Sequence, residues 1–118
     1  VDDGRPIFQQ IAEQLESQII DGSMREETQV PSINDLAAFH RINPATALKG
    51  VNLLVDAGIL YKRRGIGMFV AEGARQRLVA ARTEGFQDTY VRPLVAQARA
   101  LGITPEQLSQ MIGREAGA

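Results

Sequence analysis

The chain has 118 residues, no cysteine and one histidine, with 13 lysines and arginines against 14 aspartates and glutamates. The missing cysteines exclude a disulfide framework, a thiolate zinc site and a cysteine nucleophile, and the single His40 leaves little room for a His-based metal site, so no metal or cofactor is expected. No apolar run approaches the roughly 20 residues that a membrane span needs, and the size fits one compact domain with a helical appendage.

No signal peptide is visible after the acidic Val1-Asp2-Asp3-Gly4, which makes a cytoplasmic location the expectation. Val1 is an unusual first residue, and the native start is expected to lie elsewhere. Pro6 suits the first turn of a helix, where its missing N–H costs nothing. Ile7, Ile11, Leu15 and Ile19 then recur every four residues, and Phe8, Ala12 and Ile20 widen the stripe. That pattern predicts an amphipathic helix with one buried face, stopped by Gly22. Met24 to Gln29 is polar and acidic, a predicted surface loop leading to Val30.

Ser32 followed by Asp35 has capping-box spacing, with Asp where Glu or Gln is usual. It predicts a short helix whose Ile33, Leu36, Ala37 and Phe39 face inward. Arg41-Ile42 forms the turn. Asn43 caps the next helix and Pro44 fills its first position. Leu48, Val51, Leu54 and Val55 form its expected apolar face, and Gly58 its end. Leu60 to Arg63 and Met68 to Ala71 are predicted strands around Arg64-Gly65-Ile66-Gly67, whose glycines can take positive φ.

Beyond Gly73 the pattern is helical again. Leu78, Phe86, Tyr90, Leu94, Ala98 and Leu101 share one stripe, which Gly85 and Pro93 are expected to interrupt. Pro93 predicts a kink near Thr89–Tyr90. Gly102 ends this helix. Thr104-Pro105-Glu106-Gln107 opens another through a capping box, with Leu108, Met111 and Ile112 apolar.

Two capped helices joined by a tight turn and followed by a basic, glycine-tipped hairpin form a device for reading DNA grooves. The charge distribution agrees. Before His40, Arg5 and Arg25 face eight acidic residues, whereas from His40 to Val70 Arg41, Lys49, Lys62, Arg63 and Arg64 face Asp56 alone. Local charge, not the total, sets the field that a phosphate meets. The helix starting at Asn43 is the candidate recognition helix, with Thr46 and Lys49 in reach of the major groove. The bland alternatives are that Asn43 is simply a cap and the basic cluster a solvated surface. The candidate DNA contacts are Ser32, Asn34, Asn43, Ala45, Thr46, Lys49, Arg63, Arg64, Gly65 and Gly67.

The stretch from Pro6 to Val70 resembles the winged helix-turn-helix domain of the GntR family of bacterial transcription regulators. The likeness rests on Pro6-Ile7-Phe8-Gln9-Gln10-Ile11, Val30-Pro31-Ser32-Ile33-Asn34-Asp35-Leu36-Ala37, Asn43-Pro44-Ala45-Thr46-Ala47, and Gly58-Ile59-Leu60 through Gly65-Ile66-Gly67-Met68-Phe69-Val70. The Asn-Pro variant and the short tail resemble the YtrA-like branch. The family often has arginine where this chain has Asn34 and Pro44, and a basic residue where it has Leu48, so those contacts do not carry over. This leaves the operator sequence open, not the docking mode.

The expected fold is mainly α with a small β-hairpin: a winged helix-turn-helix over 1–73 and a two-helix tail over 74–118. The resemblance implies that such a tail serves dimerisation. The stripe argues the same way, because a lone long helix cannot stabilise its own apolar face in water. Folding back on the first domain is the alternative. The expected dimerisation residues are Leu78, Phe86, Tyr90, Leu94 and Leu101. The expected function is a homodimeric, sequence-specific regulator, a repressor by preference, on a near-palindromic double-stranded DNA operator. A small-molecule effector is compatible with the chain, but no residue identifies one. The rival class is a winged-helix protein-interaction module, against which the wing arginines discriminate. A hydrolase built on His40 with Ser32 or Asp35 lacks a glycine-framed nucleophile and an evident oxyanion hole, so no catalytic residue is assigned.

Overall fold

A computed structural model describes residues 4–117; Val1, Asp2 and Asp3 of the acidic N-terminal run, and Ala118, lie outside the described residues. The helices are α1 (Ile7–Ile20), α2 (Ile33–His40), α3 (Pro44–Asp56), α4 (Ala74–Phe86), α5 (Arg92–Ala100) and α6 (Pro105–Ala116), with strands β1 (Leu60–Arg63) and β2 (Gly67–Val70) between α3 and α4. The mainly helical fold with one antiparallel hairpin is as the sequence predicts. The chain divides into two compact units, residues 1–80 and 81–118. No described helix is long and apolar enough to cross a membrane.

In the first unit the α1 stripe is buried through Ile11, Ala12, Leu15 and Ile19. It meets Leu36 and Ala37 of α2, Ala47, Val51 and Leu54 of α3, and Leu60 and Val70 of the hairpin. Gly50 makes the α1–α3 crossing tight: a β-carbon there would lie 2.7 Å from the Phe8 carbonyl oxygen. Ala74 and Leu78 of α4 join the same core. Leu78 is 7% exposed, so it belongs to the interior of this unit and is not part of a partner-facing stripe.

Helix phase corrects two further expectations. The buried residues of α3 are Ala47, Gly50, Val51 and Leu54, spaced three, one and three apart. Leu48 lies about 100° around the helix from Ala47 and is therefore exposed, not core. Phe39 likewise falls off the inward face set by Ile33, Leu36 and Ala37, and is 77% exposed. It rims a groove of about 350 Å³ that Ile11, Leu15 and Leu36 also line. Arg41 makes the turn between α2 and α3 in the left-handed region, with φ +56°.

Met24 to Gln29 is more than a surface loop. Val30 N–H donates to the Met68 carbonyl at 2.9 Å, Val70 N–H to the Thr28 carbonyl at 3.1 Å and Glu27 N–H to the Val70 carbonyl at 2.7 Å, giving β2 a short second neighbour on the side away from β1. The Glu26 carboxylate accepts the Gly73 and Arg75 backbone N–H groups at 3.0 and 3.3 Å, at the start of α4 where a helix favours negative charge.

In the second unit Gly85 does not interrupt anything; it is accommodated inside α4. The interruption ahead of Pro93 is a π turn over Gln87–Val91. Proline supplies no N–H and its ring crowds the carbonyl four residues back, so the helix widens there. Thr104 and Gln107 form the full capping box of α6, with bonds of 3.1 and 3.0 Å. Ala98 is the only buried residue among those described in this unit.

Candidate nucleic-acid interface

The α2–α3 pair is built by its caps. Ser32 Oγ accepts the Asp35 N–H at 3.0 Å, half of a capping box, and so serves the helix rather than a nucleophilic site. Asn34 is exposed in the first turn of α2. Asn43 Oδ1 accepts the Ala45 N–H at 2.8 Å, and Pro44 follows in the first turn. The cap fixes where α3 begins and leaves the positive end of the helix dipole at the surface. His40 ends α2, its ring edge-on to Phe39 at 4.9 Å.

With Ala47, Gly50, Val51 and Leu54 turned inward, Ala45, Leu48, Lys49 and Asn52 are left exposed on α3, and Thr46 is half-buried at the margin. Lys49 is not extended freely: its Nζ sits 4.2 Å from the centroid of the Phe8 ring. An exposed contact of that kind contributes about 0.5–1 kcal/mol, small enough for a phosphate to displace. Nothing in the sequence stripe marks Phe8 as this partner.

The hairpin register pairs Tyr61 with Phe69, Lys62 with Met68 and Arg63 with Gly67. Alternation therefore puts Tyr61, Arg63 and Phe69 on one face and Lys62 on the other. The Arg63 guanidinium lies 4.5 Å from the Phe69 centroid and 5.9 Å from that of Tyr61. Arg63 is thus stacked on the aromatic face of the wing, while Arg64 stands exposed at the turn. The Tyr61 hydroxyl donates to Glu27 Oε1 at 2.5 Å, and this bond to the carboxylate holds the phenol above the usual tyrosine range.

Two glycines shape the tip differently. Gly65 has φ +77° with open space around it, so only its backbone conformation demands glycine. Gly67 has φ +143°, and a β-carbon there would lie 2.5 Å from the Gln29 amide nitrogen. That amide donates to the Ile66 carbonyl at 2.9 Å and pins the tip. Gln29 escaped sequence reasoning because its partner is 37 residues away.

The candidate residues thus gather on the α2 start, the outward face of α3 and the wing of one compact unit. Phe86, Tyr90, Leu94 and Leu101 lie in the other, at 53, 62, 43 and 66% exposure. Phe86 and Tyr90 are adjacent, with ring centroids 5.2 Å apart.

The model of the gntR family of bacterial regulatory proteins matches residues 7–70. The HTH-type transcriptional repressor YtrA of Bacillus subtilis (strain 168) is 29% identical over 107 residues, spanning 91% of this chain and 82% of the relative. Among solved structures, a GntR family transcriptional regulator from Listeria monocytogenes superposes with a TM-score of 0.74 at 22% identity, over 97% of this chain and 98% of that one. The DNA-binding domain of AraR in complex with operator ORX1 has a TM-score of 0.57 at 30% identity, over 60% of this chain and 86% of that one.

Proposed function

This chain belongs to the gntR family of bacterial regulatory proteins and is a DNA-binding transcriptional regulator, and from that premise we propose that it is a repressor acting as a homodimer on a near-palindromic operator. The observation that carries this reading is the capped start of α3. Asn43 and Pro44 fix a helix N-terminus at the surface, and the inward stripe from Ala47 to Leu54 turns Ala45, Leu48, Lys49 and Asn52 outward. A helix presented in this way enters the major groove by its N-terminal turns. YtrA is a repressor by name, and the AraR domain is bound to an operator; both support the same use of the fold here.

In this reading the wing supplies affinity. Arg64 and Lys62 meet phosphate or a narrow minor groove, Gly65 and Gly67 let the backbone approach, and Arg63 stiffens the hairpin by its stacking. Ser32, Asn34, Asn43 and Thr46 contact the backbone and groove edge. The exposed Phe86, Tyr90, Leu94 and Leu101 supply the dimer contact, since two half-sites need a two-fold protein. A regulator of this kind works where the chromosome is, so a cytoplasmic location follows.

The test is selection of bound fragments from random duplex DNA with the full chain, followed by titration on the enriched site. The expected site has two related half-sites occupied by two chains. If the pair neutralises about 6–10 phosphates, affinity falls by about 10³–10⁵-fold between 50 and 200 mM salt. Arg64→Ala lowers that salt slope. Enrichment of no sequence, or an affinity and slope untouched by Arg64→Ala, would favour a protein-docking role for the domain.

A further inference from the structure

The outward face of α3 is mixed: Asn52 and, at its margin, Thr46 can hydrogen-bond, but Ala45 and Leu48 cannot. The helix carries one basic residue, Lys49, and its ammonium is turned onto Phe8 of α1. The Asn43 amide oxygen is engaged with the Ala45 N–H, and Pro44 has no donor to offer. Beside Thr46 at the margin, the first two turns present an apolar patch: the Ala45 methyl and, three residues further along the same face, the Leu48 side chain, 42% exposed. Leu48 cannot retreat inward, because Ala47 and Val51 are fully buried and fix the helix rotation.

In the major groove an isobutyl group meets donors and acceptors on every base pair, but only one apolar group, the C5-methyl of thymine. Against guanine it covers O6 and N7 without replacing their water, and against cytosine it does the same to the amino group. Against thymine it buries methyl on methyl. Resting on the operator-binding reading above, we propose that Leu48 is a specificity-determining residue that selects a thymine in each half-site through its C5-methyl, with Ala45 leaving room for the approach. The operator is thereby read at that base pair by apolar contact and by rejection of G and C, not by a bidentate hydrogen bond.

The experiment uses the full chain and the site that it enriches from random duplex DNA. Each thymine of that site is replaced in turn by deoxyuridine, which removes the methyl and nothing else. One thymine per half-site should respond, with affinity falling about 3- to 5-fold, the worth of one buried methyl group. Leu48→Ala should bind the two versions equally. Leu48→Arg, selected afresh, should exchange that thymine for guanine. Since Leu48 is exposed, both variants should melt with the wild type, which separates loss of readout from loss of fold. An enriched site in which every deoxyuridine is silent, or in which the methyl effect survives in Leu48→Ala, overturns the assignment and leaves the regulator reading standing. Failure to enrich any site overturns both.

Discussion

The two units of this chain use similar apolar residues to opposite ends. In the winged helix Ile19, Leu60, Val51 and Val70 are each less than 2% exposed. Between residues 81 and 118 Phe86, Tyr90 and Leu101 are more than half exposed, and Met111 and Ile112 are close to it. Helix formation does not explain the difference. The capping box at Thr104 and Gln107 is more complete than the half-box at Ser32. Caps and propensity make a helix, but only burial of its stripe makes a domain. The first unit buries its stripes internally, while the second leaves its large apolar side chains at its own surface.

The largest test of that contrast is division of the chain at Ala80, which keeps Ala74 and Leu78 with their core. The fragment of residues 1–80 should unfold cooperatively and sediment as a monomer, while the full chain sediments as a dimer. Loss of the second half-site should weaken operator binding by about 10²–10⁴-fold. A fragment that stays dimeric would move the interface into the winged helix. One that does not fold would deny that this unit holds its own core.

Glycine substitutions should change sign between the regions. Gly50→Ala forces a methyl against the Phe8 carbonyl and the Ile11 side chain. Overpacking of that kind costs about 1–3 kcal/mol and outweighs the better helix propensity of alanine. Nothing lies within 4 Å of a β-carbon at Gly85 or Gly113, so alanine there should add up to about 1 kcal/mol. Thermal unfolding reads both. A loss at Gly85 or Gly113, accompanied by weaker self-association, would show that a partner helix packs directly on that glycine.

The smallest effects come from the caps. Ser32→Ala and Thr104→Ala should each cost about 1 kcal/mol. The first should lower the melting of the winged helix. The second should appear in the dimer dissociation constant and leave the 1–80 core untouched. If Thr104→Ala instead lowered the melting of that core, the two units would not be energetically separate.

What the sequence made legible was local. Asn43-Pro44, Ser32 and Thr104 declare helix starts through atoms two or three residues away, and each cap forms. The glycine-tipped hairpin and the α1 stripe are readable for the same reason. Apolar identity misleads wherever helix phase decides burial. Phe39 is apolar but out of phase in α2, while His40 is in phase and half-buried. Leu48 is at the surface and Leu78 in the core, the reverse of what their stripes predict, because a stripe does not say where the neighbouring elements lie. The contacts that trim the interface were invisible: Gln29 on Ile66, Lys49 on Phe8 and Glu26 at the start of α4 all join distant stretches.

The π turn over Gln87–Val91 acts as an inserted residue that a helix has swallowed. From Phe86 to Leu94 there are eight steps, about 80° beyond two whole α-helical turns; with one step absorbed the two fall about 20° short and share a meridian. Pro93 thus keeps the two halves of the apolar seam in line. Replacing Pro93 with alanine and letting the helix regularise would leave Leu94 about 80° around the helix from Phe86. Deleting one residue of the turn as well would restore the alignment, so the double change should dimerise where the single one fails.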